Sequence, residues 1–397
     1  MKLKLIYILL FFSFYLFAQE KTNMDILQNK ILEIKNQFAP DKRVAVFEIE
    51  ITVENDLISL TGKTNLPEAK NKLMEISKEI TPEIEDKIIT LPSKDLGEKI
   101  YGIVNLSVAN IRSKPNHPEE LATQALLGTP VKVLENHDGF YRVQTPDGYI
   151  AWVDEDGIEQ VNHTELMSWL NSKKIIYLAD FGFLYKSTAN TKERVSDLVL
   201  GDILKFVGDE GEFYKVEFPD ARQGYVEKSF ASDFDGWFKS INADGEKITS
   251  TAETFMGIPY LWGGTSAKAM DCSGFTKTVY FINGIILPRD ASQQVHSGEL
   301  VNTENGFNDL QPGDLLFFGR KASEGKPEKV THVAIYKGNL EYIHASGRIK
   351  INSFDQSKDN YSKYRHSSFI RAKRILTSLN KNGISSISDN KFYTGDF

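Results

Sequence analysis

The sequence predicts an α+β fold in several modules: an N-terminal α+β unit, two small β-barrels, and a larger α+β domain around a single cysteine. Three observations carry this. The segments ALLGTPVKVLENHDGFYRVQTPDGYIAWV (Ala125 to Val153) and LVLGDILKFVGDEGEFYKVEFPDARQGYV (Leu198 to Val226) repeat one pattern: apolar-Leu-Gly, an acidic-Gly turn, Phe-Tyr-basic-Val and a closing Val. Short alternating runs joined by Gly, Asp and Pro turns specify a small barrel. Before residue 95, helix-period and strand-period patterns alternate. The only cysteine, Cys272, opens a helix-period run late in the chain.

The N-terminal unit reads α-β-β-α-β. Met24 to Gln37 has a helical apolar face of Leu27, Ile31 and Ile34. Arg43 to Val53 alternates as a strand, Asn55-Asp56 is a turn signal, and Leu57 to Thr61 is a second strand. Asn65 is positioned to cap a helix with Pro67 early in it, running to Ile80, and Ile88 to Leu91 closes the unit. By this pattern the unit resembles BON-like modules of cell-envelope proteins. The repeated segments, with NIRSKP (Asn110 to Pro115) before the first, resemble bacterial SH3-like domains. Expected boundaries are 1–18 for a signal peptide, 19–95, 97–162 and 170–235 for these three modules, 240–375 for the cysteine domain and 376–397 for a mobile tail.

Composition narrows the function. At 397 residues the chain suits two or three domains of roughly 150 residues, more if some are small β modules. With 47 Lys+Arg against 54 Asp+Glu the net charge is −7, which argues against nucleic-acid binding. Lys2 and Lys4 precede a run from Leu5 to Phe17 that is apolar except for Ser13, and Ala18 is a small residue suited to cleavage. The run is shorter than the ~20 residues of a spanning helix. A secretory signal is therefore expected, with a periplasmic or envelope location and no stable membrane span in the mature chain. An exported protein usually pairs its cysteines, so an unpaired one is either buried and inert or a retained nucleophile.

The neighbourhood of Cys272 favours the nucleophile. Asp271 has the side chain of an N-cap, Phe275, Val279 and Ile282 share one helical face, and Gly284 suits the C-terminal end. In a first turn, unpaired N–H groups and the helix dipole are expected to lower the thiol pKa, and the Cys272 N–H can donate to an oxyanion. A base is offered by THVAIYKGNLEYIHAS, which reads as a hairpin. A three-residue loop, Lys337-Gly338-Asn339, sets His332 directly opposite His344 on one face; a two-residue Gly338-Asn339 loop would put them on opposite faces. The first register is the expectation, with His332 as base and His344 orienting it. The two histidines lack a third ligand and an HExxH arrangement, so no metal and no cofactor are implied.

The pattern PYLWGG…DCSGF…LPRDASQQ…LQPGDLLFF…THVAIY…YIHAS resembles the NlpC-type cell-wall cysteine peptidases, with every landmark in order. The resemblance implies a papain-like catalytic domain with Cys272, His332 and His344 as nucleophile, base and orienting residue. Tyr260, twelve positions before the cysteine, matches an aromatic whose hydroxyl binds substrate or oxyanion. Two SH3-like domains ahead of such a domain further resemble the γ-D-glutamyl-diamino-acid endopeptidases, of dipeptidyl-peptidase VI type. These cut peptidoglycan-derived peptides, L-Ala-γ-D-Glu-diamino acid, and hold the free L-Ala amine with an acidic side chain of the first barrel. The loop PNHPEELATQALLG offers Glu119 and Glu120, with Glu120 the better match; Tyr149 matches a second amine-side residue. Asp271, Ser273, Asp290 and Ser292 are polar groups near the nucleophile by family position, Asp271 and Ser273 serving as caps and as substrate ligands. A monomer is expected. An autolysin acting on intact wall peptides and a non-catalytic wall-binding protein are the competing readings; an acyltransferase is weaker, for want of anything resembling an acyl-chain tunnel.

Overall fold

The computed structural model describes residues 23–55 and 57–397, so the expected signal peptide lies outside the described residues. Two compact units divide the chain, one ending at Gly97 and one running from Glu98 to Phe397.

In the first unit helix α1 (23–38) is followed by β1 (Phe47–Glu54), β2 (Leu57–Thr64), α2 (Pro67–Ile80) and β3 (Glu85–Thr90). β1 and β2 are antiparallel, β2 and β3 parallel. Leu27, Ile31 and Ile34 of α1 pack with Leu60 of β2, Leu73 of α2 and Ile88 of β3. Asn65 is not the helix cap: Leu66 holds that position, and the Asn65 side chain instead accepts a hydrogen bond from Val46 N at 2.8 Å.

The second unit begins with β4 (Tyr101–Val104), β5 (Val108–Arg112), β6 (Leu121–Leu126), β7 (Pro130–His137), β8 (Phe140–Gln144), β9 (Ile150–Asp154) and β10 (Ile158–Val161), ordered β10-β4-β7-β8-β9-β5-β6. Helix α3 (His163–Asn171), with an Asn162/Glu165 capping box, leads to the second copy. Its strands are β11 (Lys174–Tyr177), β12 (Phe181–Tyr185), β13 (Arg194–Val199), β14 (Ile203–Glu210), β15 (Phe213–Glu217), β16 (Gln223–Glu227) and β17 (Ala231–Asp233). Their order, β17-β11-β14-β15-β16-β12-β13, repeats the first copy strand for strand. The two copies meet through Asp202, whose carboxylate accepts from Val199 N and from Leu127 N across the junction.

The rest of the unit follows α4 (Phe234–Ser240). It comprises α5 (Gly245–Thr254), the short pair β18 (Thr265–Ser266) and β19 (Ala269–Met270), α6 (Cys272–Ile282), β20 (Ile285–Ile286) and α7 (Ala291–Gln294). Then come β21 (Glu299–Val301), β22 (Leu315–Arg320), β23 (Lys329–Gly338), β24 (Glu341–Ser346), β25 (Arg348–Ser353), α8 (Lys363–Ser367) and β26 (Phe369–Arg374). The antiparallel sheet β21-β26-β22-β23-β24-β25 has two buried faces. Phe275 and Val279 of α6 cover one, against Leu315, Phe317, Val333, Ile335 and Ile343. Phe318, Tyr342, Phe354 and Phe369 fill the other.

The tail differs from expectation. β27 (Ser385–Ser386) pairs with β20, and α9 (Lys391–Thr394) follows. Ile384, Ile387 and Phe392 are buried, and Asn390 Nδ2 donates to the Pro146 carbonyl of the first barrel. The abundance of Ser, Asn and Lys concealed these few apolar anchors, which decide whether a tail docks. Phe392→Ala is expected to destabilise this unit by about 3 kcal/mol; an unchanged urea midpoint would mean that the tail is not seated there.

Candidate active site

Helix α6 starts where the sequence places it because Asp271 caps it. Asp271 Oδ1 accepts from Gly274 N at 2.7 Å and Oδ2 from Gly263 N at 2.9 Å. Arg289, 1 % exposed, grips the same carboxylate at 2.6 and 3.1 Å, donates to Ser273 Oγ at 3.0 Å and reaches Thr123 Oγ1 of the first barrel at 2.9 Å. Ser273 Oγ donates in turn to Asp271 at 3.2 Å. Asp271 and Ser273 are thus engaged inside the fold and form the frame of the nucleophile. Sequence reasoning missed Arg289, although it stands inside the quoted LPRDASQQ motif. A buried carboxylate at a helix start demands a cation, but the burial of Asp271 is visible only in three dimensions.

Cys272 is buried in the first turn, its sulfur against the N–H groups of Ser273 and Val333. Burial pushes the thiol up to about 11, and the Asp271 charge adds to this while Arg289 and the two N–H groups oppose it. The direction is opposite to the expected lowering: desolvation and an adjacent carboxylate outweigh the helix terminus. Burial also holds His332 well below the ordinary histidine value, with Arg365 and His344 contributing. Thiol and imidazole therefore rest in their neutral forms.

The hairpin differs from the expected register. Its tip is Asn339-Leu340, both with positive φ (53° and 63°), and Gly338 pairs with Glu341. A bulge falls between Tyr336 and Gly338, after which Tyr336 pairs with Tyr342 and Ile335 with Ile343. His332 and His344 are therefore diagonal neighbours, not directly opposed. They still share a face, and His332 Nε2 lies 2.7 Å from His344 Nδ1. The bulged Lys337 is what preserves this: a two-residue tip alone would turn the rings to opposite faces, and one extra residue restores the parity. His344 Nε2 in turn lies 2.8 Å from Asn352 Oδ1 of β25, a residue the sequence reading did not single out.

The loop before α6 joins the first barrel. Gly263 has φ +81°, and a Cβ there would meet the Leu121 carbonyl oxygen at 2.1 Å, so the backbones touch only because this residue is glycine. Thr265 bonds Gln124 twice, N to Oε1 at 2.9 Å and Oγ1 to O at 3.0 Å. Lys277 of α6 pairs with buried Asp147 at 2.7 Å. Burial opposes the Asp147 charge, yet Lys277 keeps its carboxyl below the usual range. Glu120 Oε1 accepts from Trp262 Nε1 at 2.7 Å; both are exposed, Trp262 at 64 %. Tyr149 is buried within electrostatic reach of Arg289. Tyr260 is half-buried within reach of Cys272 and Asp271; burial, with their charges, pushes its hydroxyl up to about 12, so it stays a donor. Asp290 forms the capping box of α7, with its Oδ1 3.9 Å from Arg289 Nη1, and Ser292 follows half-buried on α7. The Glu119 carboxylate pairs instead with Lys114 at 3.4 Å, and its backbone carbonyl accepts from Arg112. Arg365 of α8 is half-buried, and its charge acts on both Cys272 and His332. Among the described residues no group of three or more His, Cys, Asp and Glu could hold a metal ion, and no helix is long and apolar enough to cross a membrane.

Comparisons with known proteins match two parts of the chain to described families. Residues 257–371 match the NlpC/P60 family, and residues 111–158 match the bacterial dipeptidyl-peptidase SH3 domain. The chain is 30 % identical over 239 residues to a γ-D-glutamyl-L-lysine dipeptidyl-peptidase of Bacillus cereus, covering 57 % of this chain and 67 % of that protein. It is 27 % identical over 273 residues to dipeptidyl-peptidase 6 of Lysinibacillus sphaericus, covering 65 % of this chain and 93 % of that one. A solved NlpC/P60 family protein from Bacillus cereus shares the fold with a TM-score of 0.58 at 24 % identity, over 70 % of this chain and 99 % of that structure. With a capped cysteine helix set against a histidine-bearing sheet, and a relative matched over two thirds of its length, the chain belongs to the NlpC/P60 family.

Proposed function

We propose that the protein is an exported cysteine peptidase that hydrolyses the γ-D-glutamyl–diamino-acid bond of peptidoglycan peptides bearing a free N-terminal L-Ala. The observation that carries the reading is the joining of two features. A buried cysteine at a helix start lies against the residue following a paired histidine, and the first barrel brings Glu120 onto the loop before that helix. The name of the Bacillus cereus relative, γ-D-glutamyl-L-lysine dipeptidyl-peptidase, supports the substrate class.

In this reading His332 takes the thiol proton as the sulfur attacks the γ-carbonyl carbon. The Cys272 N–H, unpaired in the first turn, and the Tyr260 hydroxyl donate to the oxyanion. Collapse breaks the C–N bond, the proton on His332 passes to the leaving amine, and a thioester remains. Water, deprotonated by His332, then opens the thioester and releases the γ-carboxylic acid and the free thiol. The barrel contributes selectivity. An ammonium gains a charge-assisted hydrogen bond from the Glu120 carboxylate, which already accepts from Trp262 Nε1; an acylated L-Ala nitrogen carries no charge and gains less there.

Two outcomes are expected. Incubation with L-Ala-γ-D-Glu-L-Lys, with its diaminopimelate counterpart and with their N-acetylated forms, followed by mass spectrometry, should show cleavage of free-amine peptides only. Glu120→Gln should lower kcat/KM on them about 10-fold to 100-fold, and Cys272→Ala should abolish cleavage. Equal rates on acetylated peptides would remove amine recognition; no cleavage of any would remove the enzyme. The second outcome concerns pH. Since burial depresses His332, it stays a competent neutral base below the ordinary histidine value, and activity is lost only as pH falls through that lowered value. The alkaline limb should follow the substrate amine near pH ~8, because neutral amine no longer pairs with Glu120. A kcat/KM profile with its acid limb at or above pH ~6.5 would contradict the neutral buried pair.

A further inference from the structure

The hydrogen bonds of the histidine pair continue to a third side chain and end on the backbone. Asn352 Nδ2 donates to the Asn360 carbonyl at 2.7 Å, and Asn352 Oδ1 faces His344 Nε2 at 2.8 Å. A carbonyl only accepts, so the amide has one orientation: NH2 toward Asn360, oxygen toward His344. The Asn360 carbonyl also accepts from Ser353 N at 3.0 Å, and Asn360 Nδ2 donates to Glu341 at 3.1 Å, which fix the end of the chain. The Asn352 oxygen likewise only accepts, so His344 carries a proton on Nε2. Burial, helped by the facing charges of Arg365 and Lys350 and opposed by the Asn352 bond, lowers His344 to about 4, and a neutral imidazole has one N–H. His344 Nδ1 is then a lone pair 2.7 Å from His332 Nε2, which must be the donor. His332 Nδ1 is left bare.

We infer that Asn352 is a positioning residue that sets the tautomer of both histidines, through a one-way hydrogen-bond chain from His332 to the Asn360 carbonyl. The need arises because the orienting group is itself an imidazole. An Asp in that place can only accept, but an imidazole can point its proton either way. With His344 reversed, its Nδ1–H would donate to His332 Nε2 and force the His332 proton onto Nδ1, converting the base into an acid. Asn352 removes that choice. Its spacing follows from the sheet: His344 pairs with Lys350 and Tyr342 with Asn352, so Asn352 is the diagonal neighbour of His344, as His344 is of His332.

The kinetic arm of the test rests on the peptidase reading; the spectroscopic arm does not. The probe is the full chain labelled with 15N-histidine at pH 7, with long-range 1H–15N correlations assigned by their loss in His332→Gln and His344→Gln. Both rings should be Nε2–H in the native protein. Asn352→Leu should populate the Nδ1–H form of His344 and lower kcat on L-Ala-γ-D-Glu-L-Lys about 10²-fold with KM nearly unchanged. Asn352→Asp, which keeps an acceptor, should return the Nε2–H signals and most of the rate. A native His332 in the Nδ1–H form overturns the inference, whether or not Asn352→Leu folds. So does an Asn352→Leu variant whose tautomers are unchanged, even with reduced activity, since that loss would be structural only. A native protein that cleaves no peptide yet shows both Nε2–H signals would fail as a peptidase while keeping the relay.

Discussion

The buried pair of Arg289 and Asp271 is the constraint on which the rest of the site depends. It sits where three parts of the chain converge: the start of α6, the Gly263 loop and the first barrel at Thr123. Burying two charges costs several kcal/mol each unless the geometry is bidentate and every remaining donor is met. Here Arg289 donates to both oxygens of Asp271, to Ser273 and to Thr123, while Asp271 also accepts from Gly263 N and Gly274 N. A hydrophobic replacement of such a pair can be as stable, so its value is positional. It fixes where the sulfur emerges relative to the barrel that carries Glu120. Lys277 and Asp147 make a second tie, from the middle of the same helix to the same barrel, so α6 is held to the barrel at its start and at its centre.

This explains why much of the site was legible in sequence and some was not. Local signals suffice where one element decides the outcome. Asp271 followed by an apolar face at steps of four and three gave helix Cys272–Ile282, and the spacing of the two repeats anticipated a shared strand order. Arg289 and Asn352 escaped because their roles exist only in three dimensions. One meets a carboxylate 18 positions earlier, the other a histidine on the adjacent strand. The hairpin lay between these cases. Its faces were read correctly, but the register was off by two, because the turn is Asn339-Leu340 with Lys337 bulged instead of a three-residue loop. A leucine with positive φ is not a turn signal in any propensity scale. Its partial burial against the cluster that contains Phe318, Tyr342 and Phe354 holds it there.

The thiol shows where a rule applied alone misleads. A helix terminus favours an anion within its first turn by roughly 0.3–1 kcal/mol. Burial of the same group acts in the other direction and can shift a pKa by several units. Whichever is larger decides, and the burial of Cys272 was invisible in a sequence that surrounds it with Asp and Ser. The same desolvation that raises the thiol lowers His332, so the pair is displaced from ionisation from both sides.

A neutral resting pair changes what the surrounding charges must do. Arg365 lies within electrostatic reach of Cys272, Tyr260, His332 and His344 and forms no ion pair with a carboxylate among the described residues. A cation there disfavours an imidazolium, yet it favours a thiolate and the oxyanion that follows. In the free groove the two effects act on opposite members of the pair, and burial penalises both charges. In the proposed reaction, once a substrate carbonyl is attacked, the negative charge moves from sulfur to oxygen while the thiol proton sits on His332 Nδ1 and the Nε2–H stays bonded to His344. Fixed donors then act on charge that exists only during the reaction, which is the condition for lowering a barrier without tightening ground-state binding.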